Sequence, residues 1–141
     1  MQEYVAAAVR AHLRLGYLVR ARPLDRGQIY DYLLACEPVE VDVTVLSVAD
    51  RLATRGDRSD DAVQEHLQLA GELIGPALDW SQWRAQAPLV RGDRLADALG
   101  IDRDRRLAVL LAAVDRAHYA STIDDEAGAI AFAAATALPG V

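Results

Sequence analysis

The sequence of 141 residues contains no lysine, one cysteine, one phenylalanine and one methionine. The single cysteine, Cys36, excludes an internal disulfide bond and a zinc site built from cysteines, and it fits a reducing compartment. No apolar run approaches the roughly 18 residues that a membrane-spanning helix needs. The N-terminus also lacks the basic region and apolar core of a signal peptide. We therefore expect a cytoplasmic protein without a membrane partner.

The charge of the chain is acidic but unevenly distributed. Hydrophobic residues make up 52% and charged residues 26%, which is typical of a globular domain. The net charge of −6 argues against a generic nucleic-acid binder, because phosphate contacts dominate such affinity. However, residues 1–30 carry five arginines against two acidic residues, so they contribute +3 and the other 111 residues contribute −9.

Apolar residues recur at helical spacing along most of the chain, with turn residues between the recurrences. The predicted helices cover residues 3–19, 26–36, 39–54, 59–74, 77–86, 94–99 and 105–119, with a last helix from a cap at Thr122 or Asp124 to about residue 138. The expected caps and breaks are an Asp25–Gln28 capping box, Ser59, Gly56, Gly75-Pro76, Gly100, and Asp102 or Asp104. The sequence thus predicts an all-α fold, an irregular bundle of about seven or eight short to medium helices without a sheet.

Residues 39–56 fit two patterns. The four valines from Val39 to Val45 alternate with polar residues, which is typical of a half-buried strand. One helical face also collects five apolar side chains, namely Val41, Val45, Val48, Ala49 and Leu52. Because no hairpin turn or second strand lies near enough to pair with a strand, we predict a helix. Its register places Asp50 beside the buried stripe. The first helix is similarly expected to bury Val5, Val9, Leu13 and Leu15.

The chain carries no recognisable catalytic signature, such as a GxxxxGK[ST] loop, GxGxxG, HExxH or GxSxG. Its three histidines are far apart in sequence. We expect His12 to bond to backbone at the boundary of the core, His66 to be solvated and His118 to complement a helix C-terminus. Trp80 and Trp83 lie three residues apart, and we expect them to pack in the core.

Three segments of the chain resemble a known family. VRAHLRLGYL at 9–18 and RGQIYDYLLACEPVEVDVTVLSVADRLATRG at 26–56 are similar to the later portion of bacterial class II tRNA nucleotidyltransferases and poly(A) polymerases, in the branch with an HD-type helical region. APLVRGDRLADALGIDRDRRLAVLLAAVDRAHYASTIDDEAGAIAFA at 87–133 resembles that family's C-terminal module. The resemblance implies one helical domain, with residues 1–86 in the HD-type region and residues 87–141 in the tRNA-binding module.

The resemblance also implies where the chemistry of the family lies. Nucleotidyl transfer, with its divalent Mg²⁺, belongs to an N-terminal catalytic head that this sequence does not contain, so no catalytic residue and no cofactor is assigned here. His12 and Asp50 match the later positions of the HD-type metal-ligand pattern, whose first members would lie before Met1. Two ligands do not hold a metal ion tightly, so His12 and Asp50 form an incomplete set.

A non-catalytic role follows, in which the chain positions RNA, in particular tRNA, against the missing head. The candidate contacts are Arg10, Arg14, Arg20, Arg22, Arg26, Arg103, Arg105 and Arg106. Two alternatives remain open. The chain is a fragment of an HD-domain metal-dependent phosphohydrolase, or it is a helical module that forms a homodimer through surface left bare by the missing head.

Overall fold

The computed structural model describes residues 2–54 and 60–136, and these residues form eight α-helices and no β-strand. The helices are α1 (Gln2–Ala11), α2 (Arg14–Leu18), α3 (Arg26–Cys36), α4 (Glu40–Ala53), α5 (Asp60–Arg84), α6 (Gly92–Leu99), α7 (Arg105–Tyr119) and α8 (Glu126–Ala135), and a 3-10 turn at Val19–Ala21 follows α2. The all-α prediction is confirmed. None of these helices is long and apolar enough to cross a bilayer.

The helices belong to two compact units. The first, Met1–Ala85, contains α1 to α5, and the second, Gln86–Val141, contains α6 to α8. In the first unit α4 and α5 form the most extensive helix pair, and α1, α2 and α3 pack on them. The second unit buries an apolar cluster made by residues of α6, α7 and α8 together with Val90.

The first predicted helix is divided in two, because α1 ends at Ala11 and α2 starts at Arg14. Its predicted inner face is largely wrong. Val5, Val9 and Leu13 are 52–57% exposed, whereas Leu15 is fully buried. Ala8 and Ala11 occupy the inner face of α1 instead. Small side chains on that face allow close approach of the helices that α1 contacts, α3 and α4.

The third helix follows its local sequence closely. Asp25 accepts the backbone N–H of Gln28, and the Gln28 side chain accepts the backbone N–H of Asp25, so the capping box is confirmed. Tyr30, Tyr32 and Leu33 are buried on this helix. The expected capping residues Gly56 and Ser59 lie outside the described residues.

The helical interpretation of residues 39–54 is confirmed, but its predicted register is wrong. The buried residues of α4 are Glu40, Val43, Thr44 and Ser47. Val45 is 55% exposed and Leu52 is 37% exposed, and Asp50 is exposed rather than beside a buried stripe. Polar α4 side chains are buried because α5 and α3 supply hydrogen-bond partners for Ser47 and Thr44.

The sequence predicts a bend or a break at Gly75-Pro76, and no break occurs, because α5 is continuous from Asp60 to Arg84 with Pro76 inside it. A proline in a helix interior costs roughly 3 kcal/mol. Leu73, Ala77 and Trp80 recur on one buried face across the proline. Their burial offsets that cost, because full burial of a leucine-sized side chain alone contributes about 1.5–3 kcal/mol.

Local signals set the helix ends in the second unit. Gly100 ends α6 in the left-handed conformation at φ 63°, as expected. Asp104, one of the two predicted caps, accepts the backbone N–H of Arg106 at the start of α7. The cap of α8 is Asp125, which accepts the backbone N–H of Gly128, so the prediction of Thr122 or Asp124 is wrong. The last described helix ends at Ala135.

Candidate functional site

Three of the candidate arginines lie in the N-terminal segment with exposed side chains. They are Arg10 in α1, Arg14 in α2 and Arg20 in the 3-10 turn. None of them forms an ion pair with an acidic residue in the ranges 2–54 and 60–136. Their charges are therefore available to an anionic ligand.

The other two arginines of this segment differ from these three. Arg22 is half-buried and forms an ion pair with Glu72 and a hydrogen bond with Gln68, both on α5. Its guanidinium therefore fastens the segment to α5. Arg26 is exposed at the first position of α3 and has interactions of its own within the protein.

The second unit presents Arg103, Arg105 and Arg106 at the start of α7, and all three are exposed. Arg106 donates from Nε to the Asp104 carboxylate at 3.1 Å. The backbone N–H of Arg106 and the nearby guanidinium hold the pKa of Asp104 below its usual value. Asp104 thus caps the helix and pairs with Arg106. The guanidinium groups of Arg103 and Arg105 are therefore more available to a ligand than that of Arg106.

A small pocket opens beside the N-terminal arginines. Its volume is about 260 Å³, and it lies between α2 and α3. The lining residues are Arg14, Tyr17, Leu18, Gln28, Asp31 and Tyr32. The pocket thus places an aromatic ring, a guanidinium and a carboxylate around one cavity, and no local pattern in the sequence predicts it.

The expected metal ligands lie in different settings. His12 is half-buried at the junction of α1 and α2, and its Nδ1 bonds to the backbone oxygen of Val9, which matches the expected boundary histidine. Asp50 is exposed in the last turns of α4. No cluster of three or more His, Cys, Asp or Glu side chains placed to hold a metal ion occurs in the part of the chain that the structure describes. Metal binding by His12 and Asp50 stays a prediction.

The expectation of a solvated His66 is wrong. The side chain is buried, with 6% exposure, and its Nε2 lies 3.0 Å from the hydroxyl oxygen of Ser47 on α4. Burial lowers the pKa of His66, and the nearby Arg51 lowers it further. Ser47 and His66 are a hydroxyl and a base in contact, but both are shut away from solvent, so the pair is structural.

A second buried polar contact joins α3 to α4. The Thr44 hydroxyl donates to the backbone oxygen of Glu40 at 2.8 Å, so the Tyr32 hydroxyl donates to Thr44, also at 2.8 Å. Burial raises the pKa of Tyr32. Burial also raises the pKa of the nearby Cys36 thiol to about 11, which keeps it protonated and poorly nucleophilic at neutral pH.

The two tryptophans belong to an aromatic cluster in the first unit. Trp80 and Trp83 stack at 5.2 Å between ring centroids, and Tyr30 meets each of them edge-on. The indole N–H of Trp80 donates to the Glu37 carboxylate at 2.7 Å, and Arg84 pairs with the same carboxylate. Trp80 is 1% exposed, so its expected place in the core is confirmed.

Comparison with known proteins adds no relative: the chain matches no protein-family model, no curated protein and no solved structure.

Proposed function

We propose that this chain is the non-catalytic RNA-binding part of a tRNA nucleotidyltransferase or poly(A) polymerase-like protein. Its role is to position RNA, tRNA foremost, while a separate catalytic head holding divalent Mg²⁺ supplies the chemistry. The observation that carries the proposal is the exposure of Arg10, Arg14 and Arg20 without acidic partners among the described residues. Sequence resemblance supports the same assignment.

Electrostatics supports a local rather than a general affinity for RNA. The whole chain is acidic at −6, so its net charge repels phosphate. Residues 1–30 alone carry +3, and three of their five arginines are exposed and not ion-paired within the described ranges. Arginine is suited to this contact because its planar guanidinium binds phosphate oxygens in a bidentate manner. Arg103 and Arg105 provide a second, smaller set of contacts.

The test is a filter-binding titration of the protein with tRNA at several salt concentrations. Three phosphate contacts predict a slope of about −2 to −3 in a plot of log affinity against log salt. The double variant Arg10→Gln/Arg20→Gln is expected to reduce the steepness of that slope by about two units. Arg103→Gln/Arg105→Gln tests the second set in the same way.

The matched control is Arg91→Gln/Arg94→Gln, which makes the same change in net charge. Arg91 and Arg94 already pair with Asp93 and Glu126, so this variant is expected to leave the slope close to that of the parent. Absence of tRNA binding at low salt, or binding without a salt slope, would reject the proposal. An equal reduction of the salt slope in Arg10→Gln/Arg20→Gln and in the control Arg91→Gln/Arg94→Gln would reject the assignment of the contacts to Arg10 and Arg20.

A second candidate is a helical module that associates with another copy of itself. It is favoured by the apolar side chains that α4 exposes, Val45 at 55%, Leu46 at 38% and Leu52 at 37%. Apolar chains clustered on one helix at the surface are typical of interaction faces. Light scattering over a range of concentrations tests this candidate. Val45→Glu is expected to abolish association, whereas Val109→Glu, at an exposed valine of α7, is its matched control.

A further inference from the structure

The pocket between α2 and α3 offers a binding site in addition to the proposed contacts between arginines and phosphates. It holds about 260 Å³ and is bordered by Tyr17 on one side and by Asp31 and Tyr32 on the other. Pockets for drug-sized ligands hold about 300–1,000 Å³, so this one suits a single small ring system. Its lining combines an exposed aromatic ring with hydrogen-bonding groups.

We propose that this pocket receives one unstacked nucleobase of a single-stranded RNA segment, with Tyr17 as the stacking platform. The inference rests on the proposed RNA-binding function and names the part of the RNA that the site recognises. Sequence-tolerant recognition of single strands is generally achieved by aromatic side chains that stack on bases beside basic groups that track the backbone.

The ring of Tyr17 is placed for such stacking. Tyr17 is 75% exposed, the largest exposure among the large hydrophobic side chains of the described residues. An exposed tyrosine ring keeps apolar surface in contact with water, and a stacked base would cover that surface. Arg14 borders the same pocket, three residues before Tyr17 on the helix, so both side chains lie on one face of α2.

The charges around the pocket favour a base over a phosphate inside it. The Asp31 carboxylate borders the cavity and has an interaction of its own within the protein. A carboxylate has acceptor positions for several hydrogen bonds and no donor, so it can also accept from the amino and imino groups of a base, whereas it offers nothing to a phosphate. The guanidinium of Arg14 at the same border attracts the phosphate of that nucleotide. The pocket therefore separates the two halves of a nucleotide, with the base inward and the phosphate toward Arg14.

The inner wall of the pocket is already fixed. Gln28 is held by the capping box of α3, and Tyr32 is held through its hydroxyl by Thr44. Walls that are ordered before binding reduce the entropy that binding has to overcome. Tyr17 is 75% exposed, so it can be substituted without disturbing the core.

The test uses the full chain and a single-stranded RNA of about eight nucleotides with a central 2-aminopurine, within the usual site size of such proteins. The fluorescence of 2-aminopurine falls when the base stacks on an aromatic ring. Binding is expected to quench it. Tyr17→Leu is expected to abolish the quenching and weaken affinity by about 5- to 150-fold, whereas Tyr17→Phe is expected to keep both the quenching and the affinity.

The outcomes separate this inference from the proposed function. Salt-dependent binding whose quenching is lost in Tyr17→Leu and kept in Tyr17→Phe supports the base pocket. Salt-dependent binding that is indifferent to Tyr17→Leu overturns the pocket and leaves the arginine contacts intact. Absence of binding to both this RNA and tRNA at low salt overturns the proposed function and the pocket together. Circular dichroism of each variant verifies that the helices are retained.

Discussion

The hydroxyl of Ser47 and the Nε2 atom of His66 lie 3.0 Å apart, with one residue on α4 and the other on α5. Both side chains are buried, at 3% and 6% exposure. The most extensive helix pair in the first unit is therefore joined through a polar contact. A neutral imidazole can form the hydrogen bond with the serine hydroxyl. An imidazolium at this buried position would lose the hydration of its charge, which costs free energy.

We expect the free energy of unfolding to fall as pH drops below the ordinary histidine pKa of 6.5. Burial depresses the pKa of His66 in the folded protein, so the unfolded chain binds more protons in this window. The stability that neutral His66 contributes is fully present above its pKa in the unfolded chain. It is lost as pH falls through the lower pKa of His66 in the folded protein. Urea unfolding at about pH 7.5, 6.5 and 5.5 measures the effect.

The variant His66→Gln isolates the histidine in this experiment. Its amide still bonds to Ser47 but does not titrate, so the dependence of stability on pH in this window is expected to flatten. Arg51 and Asp50 on α4 also act electrostatically on His66, Arg51 lowering its pKa and Asp50 raising it. An unchanged pH profile in His66→Gln would contradict the assignment.

The contact between Trp80 and Glu37 predicts a graded loss of stability. Glu37→Met removes the acceptor of a buried indole N–H, and we expect a cost of about 1–3 kcal/mol. Glu37→Gln keeps an oxygen acceptor for Trp80 and loses only the partly exposed ion pair with Arg84, so it is expected to cost less than about 1 kcal/mol. Urea unfolding followed by tryptophan fluorescence measures both. Equal costs would show that the indole bond contributes little.

The N-cap of α8 offers two adjacent aspartates for a matched comparison. Asp125 accepts the backbone N–H of Gly128 at 2.7 Å, and its substitution by alanine is expected to cost about 1 kcal/mol. Asp124 is exposed and precedes the cap, so Asp124→Ala is expected to change stability far less. Thermal unfolding of the two variants compares them directly. A larger effect at Asp124 would place the cap one residue earlier.

The turn after α7 predicts a stabilising substitution. Ser121 has a left-handed backbone at φ 58°, which costs a residue with a side chain about 1–2 kcal/mol. Ser121→Gly relieves that cost and loses part of it to the greater freedom of glycine in the unfolded chain, so a gain of about 0.5 kcal/mol is expected. Ala120 is right-handed at φ −72°, so Ala120→Gly is expected to destabilise the protein. Thermal unfolding that ranked the two variants in the opposite order would disprove this account.

The helices whose ends depend on adjacent residues were predictable from the sequence. The capping box at Asp25 and Gln28 and the glycine stop at Gly100 act within a few residues, and both occur as expected. Pro76 was misleading because its local cost is outweighed by burial of Leu73, Ala77 and Trp80, which depends on the rest of the unit.

For the candidate site, the sequence predicted which residue types are present but not how they are arranged. The sequence pointed to a basic N-terminal segment, but it did not show that Arg22 is paired with Glu72 while Arg10, Arg14 and Arg20 are exposed. Arg22 and Glu72 are 50 residues apart, and no local pattern connects them. The pocket beside Tyr17 likewise exists only because the tertiary structure brings residues of α2 and α3 around one cavity.

The sequence by itself determined that the described chain is helical, because helical periodicity, caps and stops all act over one or two turns. The tertiary structure decided which face of each helix is buried. On α4 it buried Thr44 and Ser47 and exposed Val45, because Tyr32 and His66 satisfy the two hydroxyls. Amphipathic patterning cannot anticipate such partners, since they come from helices distant in sequence, and it therefore assigned the wrong face to α4.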